Sequence, residues 1–280
     1  MKLIVVALAL GTAGLTTLLA AGQGAPSAQS APPDAAALME QSQRAFYYGG
    51  DDSLARVTME LIDRSGARRT RELTMARLNI DAGGDQKYFI YFHEPADVRR
   101  MTFMVWKYPD RNDDRWIFVP AVDLIRRIAA DDSRSSFVGS DFTYEDISGR
   151  DISADRHTLL RQETLGGREC YVIESVPTTR TDYARRVSWL DARTLLPVQE
   201  EYYDAQGDQF RVFTADRIEN VPVESDPQKA VATVMERTMR NLKTGHGTEV
   251  RFTSVAYNLG LNDEDFSERR MRRPPREWTQ

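Results

Sequence analysis

The stretch KYFIYFHEPADVRRMTFMVWKYPDRNDDRWIFVP, residues 87–120, decides the fold class of this chain. It holds three runs of β-branched and aromatic residues, KYFIYFHEP, MTFMVWKYP and RWIFVP, which Pro, Asp and Asn separate. Runs of this kind, bounded by turn-forming residues, are typical of β-strands that pair in hairpins. The stretch therefore predicts a meander of antiparallel strands.

The same alternation of apolar and polar residues extends in both directions along the chain. Upstream, LARVTMELID (54–63) and RRTRELTMARLNI (68–80) are separated by a turn that contains Gly66. Downstream, a second series of strand-like runs extends from HTLLRQETL (157–165) to QFRVFTADRI (209–218). So many short runs predict a mainly β protein with a few helices (α+β), built on a single large antiparallel sheet that is curved or closed into a barrel.

Two segments outside these runs have helical features. Asp34 precedes AAALMEQSQRAFYY (35–48), whose apolar residues recur at helical spacing, so we expect Asp34 to cap a helix there. The segment QKAVATVMERTMRNL (228–242) fits either an amphipathic helix or a strand. The hairpin-like KTGHG and the alternating TEVRFTSVAYN that follow it favour the strand.

The N-terminal region is typical of an exported protein. Lys2, an apolar run and then small residues predict a cleaved signal peptide over residues 1–22, with an uncleaved membrane anchor as the alternative. Residues 23–33, rich in Pro and Ala, are expected to be a flexible leader. Residues 34–280 are then the folded domain, which we expect in the periplasm.

The composition argues against several classes of function. The 280 residues carry 37 basic and 42 acidic side chains, a net charge of −5, so the chain lacks the excess of positive charge that nucleic-acid binding needs. The single Cys170 excludes a disulfide within the chain and any multi-Cys metal cluster. The sequence contains no phosphate-binding loop and no GxSxG, HExxH or SxxK motif, and its three His are far apart. We therefore expect no enzymatic activity, no cofactor and no bound metal.

The segment WIFVPAVDLIRRIAADDSRSSFVGSDFTYEDISGRD (116–151) interrupts the alternation between the two series of strands. Thr143 and Asp146 have the spacing of a capping box, which predicts a short helix that begins at Thr143. A long excursion with local structure inside a β meander is typically a functional flap or a plug. Its apolar residues are expected to cover one open face of the sheet; they are Phe137, Val138, Phe142, Tyr144 and Ile147.

Two adjacent arginines, Arg126 and Arg127, lie in this segment, and in a strand one would point inward and the other outward. An inward Arg needs a partner, and the nearby acidic candidates in the sequence are Asp141, Glu145 and Asp146. Such a pair could pin the excursion to the barrel as a purely structural contact. It could also be a latch that breaks when a lipid enters, or the guanidinium could meet a lipid head group.

Several motifs resemble those of bacterial outer membrane lipoprotein-sorting proteins, a LolA-like family of exported proteins. The most specific is SFVGSDFTYED (136–146), and WIFVPA and RRI precede it. Further matching segments are VSWLDARTLLPVQEEYYDAQG (187–207), MRNLKTGHGTEV (239–250) and DEDFSERRM (263–271). The resemblance implies a half-open β-barrel whose concave apolar face is covered by a helical lid and can hold acyl chains. It also implies a strand over residues 230–241.

From the resemblance we expect a periplasmic carrier that binds a lipid or the acyl chains of a lipoprotein and helps move it toward the outer membrane. An inner-membrane transporter and an outer-membrane acceptor are the partners that such a function implies. The alternative is a non-enzymatic accessory protein of a membrane transporter or envelope machine; an envelope hydrolase has the least support, because the sequence shows no nucleophile constellation. The candidate ligand-binding and lid residues are Trp116, Phe118, Arg126, Arg127, Phe137, Phe142, Tyr144 and Ile147, and the candidate lid-pinning residues are Asp141, Glu145 and Asp146.

Overall fold

The computed structural model describes residues 33–81, 83–179 and 181–280. The predicted signal peptide (1–22) and residues 23–32 of the predicted leader lie outside the described residues. Residues 33–280 form one compact unit. Within the described part of the chain, none of the helices has the length and apolar character needed to cross a membrane.

The described residues form thirteen β-strands and four α-helices. The strands are β1 (Asp52–Ile62), β2 (Arg68–Asn79), β3 (Gln86–Glu94), β4 (Thr102–Lys107), β5 (Asp114–Val119), β6 (Leu124–Ile128), β7 (Asp155–Leu165), β8 (Arg168–Pro177), β9 (Arg185–Asp191), β10 (Pro197–Tyr203), β11 (Gln209–Val223), β12 (Asp226–Asn241) and β13 (His246–Tyr257). The helices are α1 (Ala35–Tyr47), α2 (Tyr144–Ser148), α3 (Glu268–Arg272) and α4 (Arg276–Thr279). The prediction of a mainly β protein with a few helices is confirmed.

All of these strands belong to one antiparallel sheet, in the order β6-β5-β4-β3-β2-β1-β13-β12-β11-β10-β9-β8-β7. Two meanders, β1–β6 and β7–β13, are joined because the first strand pairs with the last. The sheet is curved and open, with β6 and β7 at its two edges, so the predicted half-open barrel is confirmed. Residues 129–154, which we call the lid segment, connect these two edge strands.

The β1–β2 hairpin shows how local sequence specifies register. In β1, every second side chain from Ala55 to Leu61 is buried, as the alternating sequence predicts. At the turn, the Asp63 carboxylate accepts hydrogen bonds from the backbone N–H groups of Ser65 (2.8 Å) and Ala67 (3.0 Å). These contacts fix the turn, and the turn fixes the pairing of β1 with β2.

The segment that fits either a helix or a strand is a strand. β12 pairs with β11 on one side and with β13 on the other, and a turn over residues 242–245 follows it. The helical alternative would place Leu242 on one buried face with Val231 and Val234, whereas Leu242 is 50% exposed. The prediction of a strand over residues 230–241 is confirmed.

The sheet buries apolar side chains on both of its faces. On the concave face, a large core combines side chains from both meanders and from the lid segment. On the convex face, strands β2–β5 pack against the C-terminal segment, whose buried residues are Phe266, Met271 and Trp278. Alternation separates the two cores, since in β4 Phe103 is concave and the next residue, Met104, is convex.

Helix α1 covers part of the second meander and begins where the sequence predicts. Asp34 accepts a hydrogen bond from the backbone N–H of Ala36 (3.2 Å), which caps the helix. Leu38 and Met39 pack against strands β8 and β9. Near the end of the helix, Phe46 reaches the concave core. The helix therefore borders the same space that the lid segment covers.

Candidate functional site

The lid segment contains the short helix that the sequence predicts. The Thr143 hydroxyl accepts a hydrogen bond from the backbone N–H of Asp146 (3.2 Å), and the Asp146 carboxylate accepts one from the backbone N–H of Thr143 (2.8 Å). This reciprocal pair is the predicted capping box at the start of α2. After Ser148 the chain leaves the helix through Gly149, whose φ is +84°. Both ends of this helix are therefore specified locally.

The aromatic side of the lid segment is buried in the concave core. Phe137, Phe142, Tyr144 and Ile147 are each no more than 8% exposed. The ring of Phe103 in β4 lies 5.3 Å from that of Phe137 and 5.2 Å from that of Tyr144, measured between centroids. The four lid candidates of the sequence therefore lie together and close the concave face.

Hydrogen bonds hold the middle of the lid segment to the sheet. The buried hydroxyl of Thr248 in β13 accepts a hydrogen bond from the backbone N–H of Asp141 (2.9 Å) and donates one to the Asp141 carboxylate (2.8 Å). Arg71 of β2 donates to the backbone carbonyl of Val138. Burial raises the pKa of the Asp141 carboxyl, so its ionised form is disfavoured here. Sequence patterns single out neither Thr248 nor Arg71.

Buried ion pairs surround the lid helix. Asp146 binds Arg211 of β11 (3.2 Å) and lies 3.5 Å from Arg134. Glu145 binds Arg134 (3.1 Å) and Arg150 (3.3 Å). Burial acts to raise the pKa of Asp146, but Arg211 and Arg134 outweigh it and hold the pKa of this carboxyl below its ordinary value. Both acidic candidates of the lid helix therefore have arginine partners.

These partners are different arginines from the expected ones. Arg126 and Arg127 lie on the edge strand β6, where both are exposed, and Arg127 binds Asp114 of the neighbouring strand. Only Ile128 of this strand is fully buried. The expectation that Arg126 or Arg127 pairs with the carboxylates of the lid segment is wrong, because an edge strand leaves its long charged side chains in water.

The alternation of side chains in strand β11 could have indicated Arg211 as a partner of the lid carboxylates. Arg211 lies two residues before Phe213 in QFRVFTADRI, so both side chains point to the same face, and both are buried. Arg134 and Arg150 lie in irregular parts of the lid segment. No repeat in the sequence assigns a direction to side chains there, so these two arginines could not be predicted.

Trp116 and Phe118 lie on the opposite face of the sheet from the lid segment. Strand β5 alternates, so Ile117 enters the concave core while the two aromatic rings enter the convex core. There they pack with the C-terminal segment, including Trp278. The expectation that Trp116 and Phe118 belong to the ligand-binding side is therefore wrong, and they bury the C-terminal segment instead.

Two small cavities lie beneath the lid segment. The lid cavity has a volume of about 60 Å³, and its lining includes Phe46, Phe142, Asp146, Tyr202 and Arg237. The helix-end cavity has a volume of about 80 Å³, and its lining includes Tyr47, Ala55, Met75, Phe252 and Arg237. Ligand pockets of proteins usually have roughly 300–1,000 Å³. The concave face is therefore nearly filled in this conformation.

A larger groove of about 910 Å³ opens to solvent beside the lid segment. Charged side chains dominate its lining, among them Lys107, Asp113, Arg115, Asp151 and Asp182. A groove of this composition does not provide the apolar surface that an acyl chain needs. The concave face is therefore the better candidate for binding an apolar ligand.

Arg237 of β12 lines both the lid cavity and the helix-end cavity. Its guanidinium carbon lies 5.5 Å from the ring centroid of Phe46, 5.4 Å from that of Phe142 and 5.3 Å from that of Phe252. Its Nε is buried and, among the described residues, has no hydrogen-bond partner. Burial lowers the pKa of this guanidinium below the ordinary value of an arginine. A guanidinium surrounded by three aromatic rings thus borders both cavities.

A family model described as that of an uncharacterized protein matches residues 84–273, more than half of the chain. The chain belongs to this family. No curated protein matches its sequence.

Solved structures relate this family member to known folds. It is similar to a protein domain from Vibrio parahaemolyticus designated an outer membrane lipoprotein-sorting protein domain, with 26% identity, 85% of this chain and 98% of that chain covered, and a TM-score of 0.76. It is similar to a DUF1329 family protein from Desulfovibrio piger, with 27% identity, 84% and 96% coverage, and a TM-score of 0.74. A LolA superfamily protein from Nitrosomonas europaea, at 18% identity, 85% and 99% coverage and a TM-score of 0.62, shares the fold. The resemblance to LolA-like lipoprotein-sorting proteins is confirmed.

Residues with the potential for acid–base or metal chemistry are dispersed over the described part of the chain. His157 is hydrogen bonded to the hydroxyl of Ser175 (2.8 Å) and to the backbone carbonyl of Ile152 (2.9 Å). In the described part of the chain, no group of three His, Cys, Asp or Glu side chains is arranged to hold a metal ion. Cys170 is a buried free thiol that packs with apolar residues.

Proposed function

We propose that this protein is an exported, non-enzymatic carrier that binds a lipid or the acyl chains of a lipoprotein on the concave face of its half-barrel and helps move this cargo toward the outer membrane. The observation that carries the proposal is the lid segment, which joins the two edge strands and buries four large side chains against the concave face. The similarity to an outer membrane lipoprotein-sorting protein domain supports it. The predicted signal peptide at residues 1–22 supports a periplasmic location.

The cargo has to displace the lid segment, because cavities of about 60 and 80 Å³ are too small for an acyl chain. Exposing Phe137, Phe142, Tyr144 and Ile147 costs roughly 1.5–3 kcal/mol for each side chain, or about 6–12 kcal/mol together. A chain of about fifteen methylenes gains roughly 0.8 kcal/mol for each methylene buried, or about 12 kcal/mol in all. Because the two free energies are comparable, an acyl chain can replace the lid side chains and can also leave again.

Polar contacts give the closed lid segment a defined position. Arg134 of the lid segment binds Asp182, outside it, at 2.7 Å, and Asp146 of the lid segment binds Arg211 at 3.2 Å. Glu145 supports Arg134 from within the lid segment. Charged hydrogen bonds are directional, whereas apolar burial is not. The lid-pinning role of these carboxylates is to return the lid segment to one closed geometry after the cargo leaves.

Extraction of the native protein tests the carrier function directly. The protein is purified from its own envelope fraction without detergent, extracted with organic solvent, and the extract is analysed by mass spectrometry. We expect an acyl-chain lipid in an amount comparable with that of the protein. Reproducible absence of such a lipid, together with failure to take one up in vitro, would contradict the carrier function. That result would favour an accessory protein that contacts a transporter or envelope machine through its convex face or open edge.

A disulfide lock tests whether the lid segment admits the cargo. Asp141→Cys combined with Thr248→Cys places two thiols where the side chains now form a hydrogen bond of 2.8 Å, and the buried Cys170 does not compete with them. We expect the oxidised double variant to lose acyl-chain uptake and the reduced form to regain it. Each single variant, treated with the same oxidant, is the control. Unchanged uptake by the locked protein would show that the cargo enters elsewhere.

A further inference from the structure

The helix-end cavity has an unbalanced charge. Among the described residues, its lining contains two arginines, Arg77 and Arg237, and neither Asp nor Glu. Much of the remaining wall is apolar, with Ala55, Met75 and Phe252 among its side chains. A buried cation without an acidic partner is unfavourable unless other groups satisfy it. The question is therefore whether each arginine is already satisfied by the protein.

The two arginines of the helix-end cavity differ in this respect. Arg77 donates hydrogen bonds to the backbone carbonyls of Tyr47 and Gly49 and to the hydroxyl of Ser53 (3.3 Å). Its donors are therefore used within the protein. The Nε of Arg237 is buried without an acceptor among the described residues, and the guanidinium is surrounded by aromatic rings. Arg237 is thus the arginine of this cavity that is available to bind an anionic ligand.

The lid cavity supports the same distinction. Asp146 acts on Arg237 only through its charge and forms its hydrogen bond with Arg211 instead. The other arginines that line the lid cavity each have a carboxylate partner. These pairs are Arg134 with Asp182, Arg150 with Asp155, and Arg186 with Glu200. Among the described residues that line the two cavities, Arg237 is therefore the arginine whose guanidinium has neither a carboxylate as an ion-pair partner nor a backbone carbonyl as a hydrogen-bond partner.

The size of the helix-end cavity fits a small polar group. Its volume of about 80 Å³ exceeds the roughly 10–15 Å³ that one water molecule requires and is far below the roughly 300–1,000 Å³ of a ligand pocket, so it admits a carboxylate or phosphate group but not a chain. The ring of Phe142, on the lid segment, lies 5.4 Å from the guanidinium of Arg237. Withdrawal of the lid segment would therefore uncover Arg237 and join the cavity to the space that an acyl chain would occupy.

We propose that Arg237 binds the anionic head group of a single-chain amphiphile, a carboxylate or a phosphate monoester, while the chain of the amphiphile takes the place of the lid side chains. This proposal rests on the carrier function proposed above and names its cargo class. A guanidinium can donate two parallel hydrogen bonds to two oxygens of such a head group, and the contact is strong in an apolar site. Ester-linked or amide-linked acyl chains of a lipoprotein have no anionic group at that position. The helix-end cavity therefore selects a free anionic lipid.

Paired amphiphiles with identical chains test the head-group site. Binding of dodecanoate and of dodecanol to the full chain is measured by titration calorimetry at pH 8, below the micelle concentration. We expect dodecanoate to bind at least about tenfold more tightly, the difference that one charge-assisted hydrogen bond produces. Arg237→Met should remove this preference and Arg237→Lys should retain part of it. Arg240→Met, which removes an exposed charge from the same strand, is the matched control and should keep the preference.

The outcomes separate this proposal from the carrier function. If neither amphiphile binds, the carrier function fails; if both bind equally well to the unmodified protein, the carrier function stands and the role of Arg237 is refuted. Acetate or inorganic phosphate that binds as tightly as dodecanoate would indicate a site for a free anion and would also overturn the proposal. Dodecyl phosphate that binds more tightly than dodecanoate would support it and assign the head group to phosphate. Should Arg237→Met not fold, the comparison of the two amphiphiles and of Arg237→Lys still decides.

Discussion

Replacement of Phe137 by Ala tests whether the lid segment and the cargo compete for one surface. Phe137 is 1% exposed, and its ring centroid lies 6.0 Å from that of Phe92, 5.3 Å from that of Phe103 and 5.7 Å from that of Tyr144. Truncation of a Phe at so enclosed a site lowers the free energy of unfolding by about 3–5 kcal/mol. For an ordinary core residue, that loss of stability would bring no gain in ligand affinity.

A competing lid predicts a gain in affinity. For a cargo that binds only the open form, the apparent dissociation constant is the intrinsic one divided by the fraction of protein that is open. A variant that opens more often therefore binds the cargo more tightly. If half of a loss of about 3 kcal/mol falls on lid closure, the apparent affinity for an acyl-chain ligand rises about tenfold, since about 1.4 kcal/mol is a factor of ten. We therefore expect Phe137→Ala to be less stable than the unmodified protein and to bind dodecanoate about tenfold more tightly or better.

Two measurements on the same samples check this prediction: denaturant unfolding for stability, and titration calorimetry for affinity. Trp278→Ala is the matched control, because Trp278 is equally buried but lies in the convex core. We expect it to lose a similar amount of stability without a gain in affinity. If Phe137→Ala loses stability and its affinity for dodecanoate is unchanged or weaker, the lid segment does not compete with cargo and the reasoning is refuted.

Three further predictions concern the polar contacts of the lid segment. The pKa of Asp146 is lowered in the folded protein, so the contribution of this carboxylate to stability is present above the unfolded-state pKa of about 4 and is lost as the pH falls through the folded value. Asp146→Asn should therefore have a lower melting temperature than the unmodified protein at pH 7. The difference between the two melting temperatures should become smaller in acid. The pKa of Asp141 is raised, so the ionised carboxylate lowers stability at pH 7. Asp141→Asn keeps an acceptor for the hydroxyl of Thr248 and should melt at an equal or higher temperature than the unmodified protein at pH 7. A marked decrease in melting temperature would contradict the direction of this pKa shift. Arg211→Ala removes a partner of the buried Asp146 carboxylate and should lower the free energy of unfolding, measured with denaturant, by about 3 kcal/mol. Arg127 is exposed, and Arg127→Ala should lower it by less than about 1 kcal/mol. Equal losses would contradict the conclusion that Arg211, and not Arg127, pins the lid segment.

Local alternation predicts most of the strands but not their order, and strand β6 lies inside the segment 116–151, where the alternation is interrupted. The β1–β2 hairpin and the strand β12 follow from side-chain period and turn residues within a few positions of each other. The pairing of β1 with β13 joins Ser53 to Tyr257, and no local pattern links residues so far apart in the chain. Because that pairing decides which strands are edges, the sequence could not show that the two strands joined by the lid segment are the two edges of the sheet.

The candidate site divides along the same line. Phe137, Phe142, Tyr144 and Ile147 are predictable, since large apolar side chains in a polar excursion need a surface to cover. Trp116 and Phe118 are misassigned because a strand with two apolar faces does not reveal which face meets the lid segment.

The partner of Asp146 is missed for another physical reason. Proximity in sequence points to Arg126 and Arg127, whereas the hydrogen-bonded Arg211 is 65 residues away and is brought close by the sheet. Arg237 lies 91 positions from Asp146 in the numbering of the sequence and reaches the same space from the next strand, β12. The ion-pair partners of charged residues on a concave face can therefore be assigned only when the order of the strands is known.

Connectivity limits how the lid segment can move, and this limit bears on selectivity. Both of its ends continue into edge strands, so it cannot swing away as a terminal flap does and has to rise between two fixed ends. Opening therefore separates the lid rings from the concave core and Phe142 from Arg237 in one movement. A neutral chain replaces only the apolar contacts, whereas an anionic amphiphile also gives the uncovered guanidinium a partner. On the carrier function proposed here, the cargo that best compensates the open form is an anionic one, and its preference depends on Arg237.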